Sequence, residues 1–180
     1  LKKFYENVET YKKYIILRPQ EVANSPEVAR RIGVIAMNTA IEVDIYGNVN
    51  STHICGTKIM NGIGGSGDYA RNGFLTVFFT TSLAKGGAIS SVVPFCSHID
   101  HTEHDVDVIV SERGVADLRG KSPIQRAHCI IDNCVDPQYR EMLRDYLAKA
   151  PLAHTPLNLD NCFAMHKAFA ETGDMHNAKF

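Results

Sequence analysis

Residues 61–80 read NGIGGSGDYARNGFLTVFFT, and their reading decides the fold. Four glycines in six positions (Gly62, Gly64, Gly65 and Gly67) leave a backbone with almost no side-chain cover. Such a loop lets another group approach the main chain closely. Asp68 supplies an N-cap signal, which predicts a short helix beginning around Tyr69. Bare N–H groups beside a helix start suit a phosphate, a carboxylate or a developing oxyanion. The competing reading is a tight surface loop without a ligand. Phe74 to Thr80 then forms a continuous apolar run with turn signals on both sides, the pattern of a strand covered on both faces.

Gly62, Gly64 and Gly67 also match G-x-G-x-x-G. That dinucleotide fingerprint needs a buried strand just before it and an acidic residue roughly 20 positions later. The preceding CGTKIMN is mixed in character, and Gly86 and Gly87 stand where the acid is required. A nicotinamide or flavin site is excluded.

Upstream, Gly33 to His53 is the clearest strand region. An apolar run leads into Ile41, Val43 and Ile45 alternating with Glu42 and Asp44, and Tyr46-Gly47-Asn48 turns the chain into a second strand. Ser25-Pro26-Glu27 starts a helix that runs to about Ile32 and ends at Gly33. Lys2 to Lys13 reads as a polar amphipathic helix, and Tyr14 to Leu17 as a short strand stopped by Pro19. Downstream, SLAKGGAIS is a loop, with strands predicted over Ser90–Pro94 and Asp107–Ser111. From Ser122 the period becomes helical. One helix starts at Ser122-Pro123 and another at Asp136-Pro137. Pro151 and Pro156 mark a loosely ordered stretch, and Leu157 to Ala170 reads as a last helix packed as a tail. Strands interleaved with helices make this α/β, an open, mostly parallel or mixed sheet with flanking helices. Residues 1–150 form the α/β domain and 151–180 a helical tail.

The chain has 180 residues, 44% hydrophobic and 22% charged, with a net charge of −1. That is ordinary for a soluble globular protein and carries no footprint for nucleic acid or an anionic membrane. No apolar run approaches the roughly 20 residues of a spanning helix. The five cysteines (Cys55, Cys96, Cys129, Cys134 and Cys162) are widely spaced without CxxC, which fits free thiols in a reducing cytoplasm. The chain opens on LKKFYENVETYKKY with no initiator methionine, as a helix already under way, so it reads as the C-terminal piece of a longer protein.

Three further features carry chemistry. SHIDHTEHD places His98, His101 and His104 three apart, a spacing that spreads ligands by roughly 300° around a helix. A polar loop bonded to its own acids is the better reading, and no metal is expected. Glu112 ends an apolar strand, where open α/β sheets gather ligands, although an ion pair with Arg113, Arg119 or Lys121 would also explain it. Lys85, before Gly86-Gly87, could hold a phosphate or be merely solvated. There is no G-x-S-x-G and no cysteine in an activating context.

RPQEVANSPEV, NTAIEVDIYGNVNSTHICGTKIMNGIGGSGDYARN and HTEHDVDVIVSERGVADLRGKSPIQRA together resemble the C-terminal domain of the acetyl-CoA hydrolase/transferase family. These are class I CoA-transferases, and the branch is similar to the succinyl-CoA:acetate and propionyl-CoA:succinate enzymes. The resemblance implies two similar open α/β domains with the active site between them, usually in a homodimer. It also implies a glutamate, upstream of Leu1, that attacks an acyl-CoA and becomes a glutamyl-CoA thioester. CoA then passes to a short-chain carboxylate or the thioester is lost to water. By resemblance, the N–H of Gly65 belongs to the oxyanion hole, Asn24 lies near the reacting glutamate, and Glu112 is a second active-site acid. Gly64, Ser66, Gly67 and Lys85 lie near CoA, the substrate. Glu42 has no claim to the nucleophile's role. A stand-alone CoA-binding module is the non-enzymatic alternative.

Overall fold

A computed structural model describes residues 1–180. The N-terminal stretch is a string of short helices: α1 (Lys2–Glu6), α2 (Val8–Tyr11), α3 (Gln20–Ala23) and α4 (Pro26–Ile32). The single helix expected over Lys2–Lys13 is broken at Asn7, which leaves helical backbone at φ −123°. Tyr14–Leu17 forms no strand. It is exposed and pairs with nothing, so its β-branched residues have no sheet to join. In α4, Pro26 occupies the first turn and Gly33 closes the helix in the left-handed region, φ +67°. Ser25 sits at the N-cap position without a side-chain cap bond.

Strand β1 (Ile35–Thr39) is followed by the hairpin of β2 (Glu42–Asp44) and β3 (Val49–Asn50), and by a smaller hairpin of β4 (His53–Ile54) and β5 (Lys58–Ile59). Helix α5 (Ser66–Asn72) leads into β6 (Leu75–Phe79). Next come β7 (Leu83–Ala84), a 3-10 turn at Lys85–Gly87, β8 (Ile89–Ser90) and β9 (Val92–Val93). A second 3-10 turn (Glu103–Asp105) precedes the hairpin of β10 (Val108–Ser111) and β11 (Gly114–Asp117). Helices α6 (Pro123–Cys134), α7 (Pro137–Lys149) and α8 (Ala164–Thr172) follow, with a last 3-10 turn at Met175–Asn177.

The main sheet is mixed, ordered β1-β6-β10-β11, with β1, β6 and β10 parallel and β11 antiparallel. A three-stranded sheet, β3-β2-β9, stands beside it. The fold class is therefore the mixed α/β expected. Helices α5 and α6 cover one face of the main sheet, joined to it by Thr76 Oγ1 donating to Ala70 O (2.7 Å) and Ser111 Oγ donating to Cys134 O (2.9 Å). On the other face Ile35, Met37, Phe79 and Val115 are exposed. The expectation of a strand covered on both faces thus holds only in part. Phe78 is fully buried, whereas Phe79, pointing the other way, is 39% exposed.

Helices α6 and α7 begin as their sequence signals predict. Ser122 and Gln125 form a capping box, Asp136 accepts from Gln138 N–H (3.1 Å), and a proline takes the first turn of each. The last helix starts at Ala164, later than the expected Leu157, because 157–158 are irregular and 159–163 make turns. Cys162, Met165 and Met175 belong to the same core as Ile45, Val92 and Ile109. Tyr46 donates its hydroxyl to Pro156 O across this junction.

Candidate active site

The parallel strands β1, β6 and β10 all end on one edge of the sheet, where Glu112 directly follows β10. Asn24 and the glycine loop precede α4 and α5, the helices that lead into β1 and β6. Helix α5 begins at Ser66, three residues earlier than the sequence signals predict, with Gly65 at the N-cap position. Asp68 lies in the first helical turn and does not cap; its acid favours the positive end of the helix dipole instead. The backbone N–H groups of Gly64 and Gly65 donate to no acceptor within the chain.

Gly64 takes the left-handed conformation, φ +58°, whereas Gly65 has φ −88°. The two glycines are needed for different reasons. Gly64 turns the backbone. Gly65 makes room, since a Cβ there would run into the Asn24 side-chain amide. Asn24 Nδ2 in turn donates to Asp68 Oδ2 (3.4 Å), and Tyr69 donates its hydroxyl to Ala23 O (2.7 Å) and reaches Asn24 Oδ1 (3.3 Å). Asn24 is thereby placed against the bare amides. Cavities of about 430 Å³, lined by Ile63, Gly64, Gly67 and Asp68, and about 450 Å³, lined by Gln20, Glu21, Asn24 and Asp68, open on either side.

His101, from the histidine-rich segment, supports the loop from below. Its ring lies 4.9 Å from that of Phe78, and its Nε2 is 3.0 Å from Ser66 Oγ. The Ser66 hydroxyl donates its one proton to Ile63 O (2.8 Å), so His101 Nε2–H is the donor to Ser66. Burial holds the His101 imidazole below its ordinary value. The other two histidines go elsewhere. His98 lies against His53, the ring centroids 3.8 Å apart and the planes tilted by 35°, and meets Asp100, while His104 pairs with Glu103. No three ligand-type side chains converge on one point.

Glu112 is tied to Ser82, on the stretch of chain that leads to Lys85. Glu112 sits at the β10–β11 turn and accepts from Ser82 N–H (2.8 Å) and from the Ser82 hydroxyl. Partial burial opposes its charge, but the Ser82 donors more than offset that and hold the carboxyl below its ordinary value. Arg113 lies 3.8 Å away and also reaches Asp136. Lys85 follows Ser82 by three residues and stands beside a cavity of about 310 Å³ lined by Ile41, Met60, Ile89 and Met175. No hydrogen bond ties Glu112 or Lys85 to Asn24 and Gly65.

Glu42 departs from the polar face its alternating pattern suggests. It is 5% exposed and its oxygens are engaged by Asn50 (3.1 Å), Ser97 N–H (2.7 Å) and His166 Nε2 (2.9 Å). Asp44 is buried too, its oxygens taken up by the N–H groups of Tyr46, Asn48 and Cys96 and by the Asn48 side-chain amide. Sequence reasoning missed Tyr69, Ser82 and His166. Only their positions in space, not any local pattern, connect them to the site.

An open α/β sheet beside a glycine loop with unsatisfied backbone donors is suited to an anionic or acyl ligand. Residues 1–147 match the acetyl-CoA hydrolase/transferase C-terminal domain, and the chain belongs to that family. It is 58% identical over 178 residues to the succinyl-CoA:acetate CoA-transferase of Clostridium kluyveri, covering 97% of this chain and 33% of that protein. It is 54% identical to the propanoyl-CoA:succinate CoA transferase of Escherichia coli, covering 97% and 36%, and 48% identical to an acetyl-CoA hydrolase of Candida albicans, covering 97% and 35%. Among solved structures, a 4-hydroxybutyrate CoA-transferase from Porphyromonas gingivalis superposes with a TM-score of 0.56 at 25% identity, covering 73% of this chain and 31% of that one. The chain thus spans about a third of the length of the curated relatives it matches. Its family and relatives are CoA-transferases and acetyl-CoA hydrolases, enzymes whose substrate is a CoA ester. No helix is long and apolar enough to cross a membrane.

Proposed function

We propose that this chain is the C-terminal part of an acyl-CoA:carboxylate CoA-transferase that moves CoA between short-chain acids such as acetate, propionate and succinate. The observation that carries the reading is the pair of unsatisfied N–H groups at Gly64 and Gly65, framed by Asn24 and open to solvent. The Gly65 N–H receives the thioester carbonyl oxygen as a glutamate carboxylate outside these residues attacks the carbonyl carbon. A C–O bond forms, the C–S bond breaks, and CoA leaves as its thiolate. That thiolate attacks the glutamyl carbonyl of the mixed anhydride, releasing the acyl group as a free carboxylate and leaving a glutamyl-CoA thioester. The acceptor carboxylate runs the same steps in reverse. Asn24 orients the reacting carboxylate, and Glu112 is the second active-site acid. Gly64, Ser66, Gly67 and Lys85 border CoA. Residues 1–150 act as one domain with 151–180 as its tail, beside an N-terminal domain, in a cytoplasmic homodimer.

Acetyl-CoA hydrolysis is the second reading, favoured by the hydrolase names among the relatives. It replaces the acceptor carboxylate with water. The full-length enzyme is incubated with acetyl-CoA, with and without succinate. Succinyl-CoA formed in preference to free thiol supports transfer, whereas thiol release indifferent to succinate makes it a hydrolase.

A further inference from the structure

Residues 148–180 lie beyond the matched family segment, yet they close the cavity beside Lys85 and hold the turn that carries it. Lys85 takes a left-handed backbone conformation, φ +48°. A non-glycine residue keeps that conformation where its surroundings over-determine it. Met175 N–H donates to Ala88 O (2.9 Å), and the Tyr139 hydroxyl donates to Gly87 O (2.7 Å) while His176 Nδ1 lies 3.0 Å from it. The His176 ring stacks on Tyr139 at 4.1 Å, so the last 3-10 turn and Tyr139 of α7 together hold the Lys85 turn. At the far end of the side chain, Lys85 Nζ stands 4.7 Å from the centroid of the Phe169 ring, on α8.

We propose that Phe169 is a positioning residue for Lys85, its aromatic face holding the ammonium at the rim of the 310 Å³ cavity, where it meets the phosphate-bearing end of the CoA ester. The inference rests on reading Lys85 as a CoA-binding residue. An aromatic face attracts a cation without neutralising it, as a carboxylate would, so the remaining N–H donors stay available to phosphate oxygens. It also restricts a long, flexible stem that would otherwise lose its freedom on binding.

The test uses the full-length enzyme and two donors, acetyl-CoA and S-acetylpantetheine, which lacks the phosphates. Phe169→Leu should raise KM for acetyl-CoA roughly three- to tenfold, the range of one cation–π contact, with kcat held and KM for acetylpantetheine unchanged. Phe169→Tyr, which keeps a ring face, should restore the wild-type KM. Lys85→Met should show the same donor selectivity, and the double variant should be no worse than Lys85→Met alone. If Phe169→Leu does not fold, Phe169→Met keeps apolar bulk without a ring and answers the same question. A Lys85→Met effect with none from Phe169→Leu overturns the positioning role and leaves Lys85 in the site. No effect from either variant removes Lys85 from CoA binding, and the inference with it. Equal losses with both donors would show that Phe169 acts only through packing, which also overturns it.

Discussion

A methyl group on Gly65 would meet the Asn24 amide before it met any ligand. In the full-length enzyme Gly65→Ala should therefore lower kcat about 10²-fold, the scale of a displaced oxyanion donor. Backbone strain is not the cause, since φ at Gly65 is −88°. A double-mutant cycle with Asn24→Ala separates the causes. Strong non-additivity is expected, because Asn24→Ala removes the side chain that the added methyl would push. Full additivity would instead mean that the methyl crowds the acyl group directly. Glu112 belongs to the same scale. Its side chain is half exposed and held by Ser82. Glu112→Gln should cost turnover strongly while changing stability by less than about 1 kcal/mol, as surface-type changes do. Wild-type turnover in that variant would remove Glu112 from the site. The run of glycines and the acid at a strand end stood out as local signals, whereas Asn24 entered only through the family resemblance. What Asn24 and Gly65 are to each other was not legible, since contact between residues 41 positions apart leaves no trace in local pattern.

Elements were legible where one face alone meets the core. Helices α6 and α7 carry their caps and apolar stripes in the open, and the hairpin of β2 and β3 is announced by Tyr46-Gly47-Asn48. Strand β2 misled because alternation implies one wet face, and here α8 covers that face and answers Glu42 with His166. His166→Ala should destabilise by about 2 kcal/mol at pH 7, the scale for leaving a buried carboxylate short of a hydrogen-bond donor. The pH dependence has a definite sign. Burial would raise the Glu42 carboxyl, but the His166, Ser97 and Asn50 hydrogen bonds outweigh it and leave it below its ordinary value. A depressed acid contributes stability that is fully present above the unfolded value and lost as pH falls through the folded one. The difference between wild type and His166→Ala should accordingly hold from pH 7 down to about 4.5, the ordinary carboxylate value, and shrink in urea unfolding below it. A difference constant with pH would mean that His166 works by packing alone.

For the whole molecule, the proposed nucleophile lies outside these residues, and of the carboxylates near the glycine loop only Glu21, on the 450 Å³ cavity, has no partner. Asp68 is engaged by Asn24, and Asp100 by Ser51 and Thr52. The 180-residue chain by itself should fold but release no thiol from acetyl-CoA, with or without succinate. Turnover would place a nucleophile within it. The uncovered sheet face, with Met37 67% and Val115 57% exposed, should also bind a hydrophobic dye strongly in the isolated chain.

The junction between the first strands and the last helix bears on how the protein is made. Glu42 waits for His166 and Tyr46 for Pro156, pairs 124 and 110 positions apart in the chain. At about 5–20 residues per second, the ribosome needs roughly 6–25 s to deliver those partners. Throughout that interval a carboxylate and a tyrosine destined for the interior stand in water, and the layer around them cannot close. Nascent chains stalled at Ala150 should be cut readily by protease, and chains from which Phe180 has fully emerged should resist. Closure of the layer around Glu42 and Tyr46 therefore waits until Pro156 and His166 have emerged.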